Sequence, residues 1–196
     1  DLHLDACSDE IIFNYLDSIN PDMDLIITGD ISIGTRIESD LVHISSRMGT
    51  GKVYVVLGNH DYYQATINQV RYQLKYMLQA FTNIFYLPDN GPIKLNDEWS
   101  IVGVDGWADA RAGNFQASPS LIKDYQVIHD FIGKSDQQKQ RILGRLGEEE
   151  AFRLKDILSR EIKEKNVLIA THVPPYEQAH VYEGAPASYI YTPHFV

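Results

Sequence analysis

The sequence predicts an α/β fold in a single domain. Short β-branched runs alternate with amphipathic helical stretches along the chain. A length of 196 residues suits one sizeable domain and falls short of two comfortable ones. An apolar fraction of 44% with 22% charged residues belongs to a globular chain rather than a disordered one. No internal repeat or low-complexity linker divides it.

The elements follow in order. Ser8 or Asp9 caps a first helix whose apolar positions Ile12, Tyr15, Leu16 and Ile19 share a face, and Asn20-Pro21-Asp22 ends it. Leu25-Ile26-Ile27 is a short buried strand running into Thr28-Gly29-Asp30. A second helix carries Ile37, Leu41, Ile44 and Met48 at helical spacing and stops at Gly49. Val53 to Leu57 is the clearest strand and leads directly into Gly58-Asn59-His60-Asp61. Ile67, Val70, Leu74, Leu78 and Phe81 mark a third helix, and Ile84 to Leu87 a strand. Ile93-Lys94-Leu95 and Trp99 to Val104 form a hairpin around Asn96-Asp97-Glu98.

Residues from about 105 to 150 are polar and rich in Gly, Gln, Ser and Lys, and read as a cap-like insertion over the main sheets. A long amphipathic helix with Leu154, Ile157, Leu158 and Ile162 follows. It leads to the strand Val167 to Ala170, which ends at Thr171-His172.

Charge narrows the function. A net charge of −10, from 27 acidic against 17 basic residues, argues against a long nucleic-acid footprint. Acids also serve hard cations as ligands, so a metal site remains compatible. The lone Cys7 excludes an intrachain disulfide and a multi-cysteine zinc site, and fits a reducing, cytoplasmic setting. No stretch approaches the ~20 apolar residues of a spanning helix.

Asp30, Asn59 and His172 each lie within a few residues of the carboxyl end of a predicted buried strand. That rim is where open α/β sheets bind ligands, because strand ends fix the loops. Three oxygen- or nitrogen-bearing side chains far apart in sequence can converge there.

Asp1-Leu2-His3, Gly29-Asp30, Gly58-Asn59-His60-Asp61 and Thr171-His172, in that order, resemble four of the five blocks of the calcineurin-like metallophosphoesterase family. A Gly-Asp pair alone means little, and Asp-x-His is weak. Gly-Asn-His-Asp straight after an apolar strand is the specific element. The resemblance implies a two-sheet mixed β-sandwich flanked by helices. It also implies hydrolysis of a small phosphomonoester or phosphodiester by in-line attack of a metal-bound hydroxide.

The resemblance makes Asp30 the bridge between two divalent ions about 3.5–4 Å apart, since one carboxylate offers two oxygens. Asp1 and His3 go to one ion, as i and i+2 side chains of a strand face the same way. Asn59 and His172 go to the other. Mixed oxygen and imidazole ligands suit Mn, Fe, Zn or Co without choosing among them. His60 is implied to face the phosphate rather than a metal, with Asp61 accepting a hydrogen bond from its other ring nitrogen. Gly58 lets the backbone turn beneath the site.

The other histidines read differently. His43 and His129 fall within predicted helices and are taken as structural or solvated. His180 and His194 could reach the site but lack a motif. Arg111 could clamp a phosphate and Trp107 stack on a leaving group; a surface arginine and a packed tryptophan are the stronger reading for this pair near Asp105. The fifth family block, Gly-His-x-His, does not occur in these residues. The expectation is therefore a chain truncated at both ends, with a β-strand before Asp1 and the histidine pair beyond Val196. The alternative function is a catalytically inactive protein-binding scaffold on the same fold. Such members typically lose the Asp-x-His pair or the Gly-Asn-His histidine, and this chain keeps both.

Overall fold

The computed structural model describes residues 1–118 and 122–196. It is a mixed α/β structure with two three-stranded sheets. Helix α1 (Asp9–Ser18) is capped by Ser8, whose side chain accepts from the Ile11 amide, and Asp9 and Glu10 suit the positive end of its dipole. Its buried stripe is Ile12 and Leu16; Tyr15 turns out to solvent, contrary to the sequence expectation.

Strand β1 (Leu25–Thr28) is followed by α2 (Ile37–Arg47), β2 (Val53–Val56), α3 (Ile67–Met77) and β3 (Ile84–Tyr86). The three strands form one parallel sheet in the order β1-β2-β3, with Leu25 opposite Val53 and Val53 opposite Ile84. β2 is buried at every position, as a central parallel strand covered on both faces should be. The apolar period of α3 outruns the helix: beyond Met77 the chain tightens into a 3₁₀ turn at Leu78–Ala80. β3 ends at Tyr86, because Pro88 starts the short helix α4 (Leu87–Asn90).

The second sheet begins with the hairpin of β4 (Ile93–Lys94) and β5 (Trp99–Gly103). Asn96 shapes its turn by accepting from the Glu98 and Trp99 amides at 2.9 and 3.0 Å. After α5 (Asp124–Val127) and α6 (Asp136–Leu158), β6 (Asn166–Ala170) pairs parallel to β5. A Ser135–Gln138 capping box starts α6. That helix begins well before the expected position, runs through residue 150 and stops short of Ile162. Residues 119–121 of the expected insertion lie outside the described residues. Tyr125, Ile128, Phe131, Leu143 and Leu146 from the same stretch join the main core cluster with Leu16, Leu41 and Ile44. A small hairpin of β7 (Val181–Tyr182) and β8 (Ala185–Pro186), then α7 (Thr192–Phe195), complete the chain.

The two larger sheets share a hydrophobic cluster of Tyr54 and Val56 from β2 with Ile101 from β5 and Ala170 from β6. Between β2 and α6 sits a buried ionic knot. The fully buried Asp105 accepts from the Leu57 amide (2.8 Å), the Tyr62 and Tyr86 hydroxyls (2.8 and 2.5 Å) and Arg71 (2.8 Å), which also donates to Glu150 at 2.8 Å. The knot therefore anchors the chain immediately before Gly58-Asn59. Stripping one partner from such a group strands a buried charge, at a cost of about 3–5 kcal/mol. Among the described residues, no helix is long and apolar enough to cross a membrane.

His194 is a buried polar residue whose ring nitrogens meet the Tyr125 and Ser118 hydroxyls, each at 2.5 Å. Burial, reinforced by the Lys139 cation, pushes its pKa down to about 4. The folded state then binds fewer protons than the unfolded state between the unfolded pKa near 6.5 and about 4. Stability from this group is whole above that window and is lost as pH falls through it, by on the order of 2 kcal/mol. Urea unfolding from pH 7.5 to 4.5 should show a steeper loss for the parent than for His194→Gln. Parallel curves would contradict the assignment.

Candidate metal centre

Strand β1 ends in a left-handed turn, with Gly29 at φ 92° and Asp30 at φ 49°. Aspartate tolerates this region better than most residues, and such strain is typical of side chains aimed at a site. Gly58, after β2, is glycine for a different reason than the expected turn. A Cβ there would lie 2.2 Å from Asp30 Oδ1 and 2.5 Å from its nitrogen. The two strand-end loops thus touch backbone to carboxylate. Gly58→Ala should push Asp30 away and weaken metal retention by about 10–100-fold. Dialysis against graded chelator with elemental analysis checks this, and retention equal to the parent contradicts it.

Asp30 is buried and presents its two oxygens to different histidines. His3 Nε2 lies 3.6 Å from Oδ2, and His172 Nε2 lies 3.5 Å from Oδ1. The His60 backbone N–H also donates to Oδ1 at 3.0 Å, fixing the carboxylate plane. Residues 1–3 are not a strand. His3 is left-handed at φ 46°, and the segment hangs on the next loop through Leu2 and His3 amides to the Asp30 carbonyl, at 2.8 and 2.9 Å. Asp1 and His3 therefore do not share a strand face, contrary to the sequence expectation: the exposed Asp1 carboxylate lies 3.9 Å from His172 Nδ1.

The donor set fits a divalent cation. His172 Nδ1 is 2.8 Å from the Thr28 carbonyl, which can only accept, so Nδ1 carries the proton. Nε2 then directs a lone pair at Asn59 Oδ1, 3.1 Å away, and Asp30 Oδ1. With the ring neutral, these three atoms are all electron-pair donors. An oxygen, oxygen and imidazole set of this kind is what Mn, Fe, Zn and Co accept.

His60 is half-buried, stacked on Tyr63 with ring centroids 4.2 Å apart and meeting the His3 ring edge at 4.4 Å. Burial lowers its pKa, the Asp30 charge opposes that, and His3 adds to the lowering. His3, Asp30 and His60 each offer an atom within 4.8 Å of the others, so His60 stands where it could join a metal as well as a phosphate. Asp61 does not serve the His60 ring as expected. Its Oδ1 accepts from the Ile31 and Ser32 amides at 2.8 and 2.9 Å, and its Oδ2 from the Gly58 amide at 2.8 Å. It ties the loop after β1 to the loop after β2. Burial pushes its carboxyl up to about 8 against the pull of those three amides.

Asp124, a buried residue at the start of α5, joins the site without a sequence signal. Its Oδ1 accepts from Asn59 Nδ2 at 2.9 Å and from the Tyr63 hydroxyl at 2.7 Å. It sits in no motif, and only its position in a polar stretch could have drawn notice.

The remaining candidates lie elsewhere. Arg111 is exposed and ion-paired with Asp109 and Glu148. Trp107 packs against Tyr62 and Phe131. His43 meets the edge of Phe13, and His129 is exposed. His180 and His194 line a cavity of about 220 Å³ with Asp1, Asn59 and His172. Both ring nitrogens of His194 are occupied, whereas His180 Nδ1 is buried without a hydrogen-bond partner among the described residues. A wider cavity of about 580 Å³ opens beside Asn59 and His60, walled by Tyr63, Ile122, Lys123, Tyr191 and Phe195.

No curated protein and no solved structure matches the chain. The sequence model of the calcineurin-like phosphoesterases matches residues 1–194, nearly the whole length. With its strand-end carboxylate, amide and imidazoles gathered as described, the chain belongs to the calcineurin-like phosphoesterase family.

Proposed function

We propose that the chain hydrolyses a small phosphomonoester or phosphodiester at a pair of divalent ions, with Asp30 as the residue that would hold both. The observation that supports this reading is the separate presentation of Asp30 Oδ1 and Oδ2 to His172 and His3. His3 would hold one ion, with Asp1 completing it if its exposed carboxylate swings in. Asn59 and His172 would hold the other. When bound, the ions lower the pKa of a coordinated water and neutralise charge on the phosphoryl oxygens.

The chain's own residues then orient and protonate. His60, held between Tyr63 and His3, would donate an N–H to a phosphoryl oxygen or the leaving alcohol; its burial favours the neutral ring until that contact forms. Asp61 contributes by locking the two loops together rather than by touching substrate. The two sheets would pack as the family's β-sandwich, with the 105–150 stretch bordering the substrate cavity. A manganese-loaded cytoplasmic enzyme fits the ligand set and the single cysteine.

The test is release of 4-nitrophenol from its phosphate ester. Activity should vanish after prolonged incubation with chelator and return on adding Mn²⁺. Activity that persists in excess chelator, with elemental analysis showing metal-free protein, sinks the proposal.

A further inference from the structure

We infer that Asp124 is the positioning residue that orients both the metal-facing and the phosphate-facing side chains of the site. The inference rests on the phosphoesterase reading for the roles of Asn59 and His60, and on geometry for the rest. A carboxylate only accepts, so Asn59 must turn its NH₂ toward Asp124, 2.9 Å away. Its carbonyl oxygen is thereby aimed the other way, 3.1 Å from His172 Nε2. Without Asp124 the amide loses the carboxylate that only its NH₂ end can face, keeping just the Tyr63 contact, and a flipped Asn59 would present a donor to the cation.

The same Oδ1 atom accepts from the Tyr63 hydroxyl at 2.7 Å. Tyr63 is the ring on which His60 stacks, at 4.2 Å and an interplanar angle of 26°. One buried oxygen therefore sets the amide of Asn59 directly and the plane of His60 through Tyr63. Asp124 comes from α5, outside every motif, so the polar stretch between the sheets reaches into the centre to order it. Partners that orient a ligand in this way typically matter by 10–100-fold in metal affinity or activity.

Because both bonds fall on one oxygen, Asp124→Asn can keep them while removing the charge, and Asp124→Leu removes both. Co²⁺ titration followed by visible absorption reads affinity without needing turnover. Asp124→Leu should raise the Co²⁺ Kd by about 10–100-fold, and Asp124→Asn should recover most of the affinity. Tyr63→Phe should lower kcat on 4-nitrophenyl phosphate by a larger factor than it raises the Co²⁺ Kd, since the His60 ring loses its support while Asp124 still holds the Asn59 amide, which Tyr63 also touches.

Parental Co²⁺ affinity in Asp124→Leu overturns the inference. So does Asp124→Asn as weak as Asp124→Leu, which would make charge rather than orientation the cause. Should Asp124→Leu fail to fold, the other two variants decide: weak Co²⁺ binding in Asp124→Asn, or parental kcat in Tyr63→Phe, overturns it. A protein that binds Co²⁺ as expected yet turns over no ester would sink the phosphoesterase reading alone.

Discussion

Asp30→Asn should cost more activity than any other single substitution in the centre, by at least about 10³-fold, equivalent to several kcal/mol of barrier. The substitution is nearly isosteric, so packing around the buried side chain survives. What it removes is the charge of a group that has an oxygen beside each of His3 and His172. The asparagine would also have to present its NH₂ at one of those two positions, where a donor opposes a cation. Both ions should weaken together. Elemental analysis of purified variant and parent, beside turnover of 4-nitrophenyl phosphate, checks this. Loss of one ion with the second retained would show that Asp30 does not bridge.

His60→Gln should behave in the opposite way: metal retained, turnover down by about 10²–10⁴-fold, as for a lost proton donor. The structure makes this comparison sharp, because His60 is close enough to His3 and Asp30 to act as a ligand itself. Its ring is braced by Tyr63 and His3, and its backbone rather than its ring bonds to Asp30. That bracing favours a role toward the phosphate. If His60→Gln sheds metal as readily as Asp30→Asn, His60 belongs to the coordination shell.

The sequence made the strand ends legible because buried parallel strands are short apolar runs with abrupt ends. Asp30 follows β1, the Gly-Asn-His-Asp block follows β2, and His172 follows β6, so the gathering of these three could be anticipated from pattern alone. What escaped was geometry that pattern does not encode. The Asp-x-His spacing of Asp1 and His3 suggests a strand, but the segment hangs from the Asp30 carbonyl and His3 is left-handed. A glycine after a strand suggests a turn, whereas the Gly58 backbone needs closeness to Asp30.

Asp61 sits beside His60 in sequence, yet its carboxyl group points back to three amides, because a buried polar group takes the donors that surround it. Long-range polar pairs were invisible altogether. Arg71 joins Asp105 and Glu150 across 34 and 79 residues, and Asp124 reaches Asn59 across 65. Single charged residues in polar stretches carry no periodic signal. The early start of α6 is hidden for a related reason: its first turns are polar, and only Ser135 and Gln138 announce it.

Electron paramagnetic resonance of the Mn²⁺-titrated protein tests the bridging role of Asp30 most directly. The account predicts binding that saturates at two Mn²⁺ per chain, with an exchange-coupled spectrum from ions sharing a carboxylate about 3.5–4 Å apart. That coupling should disappear in Asp30→Asn. Saturation at one ion, or two ions with uncoupled spectra in the parent, would contradict it.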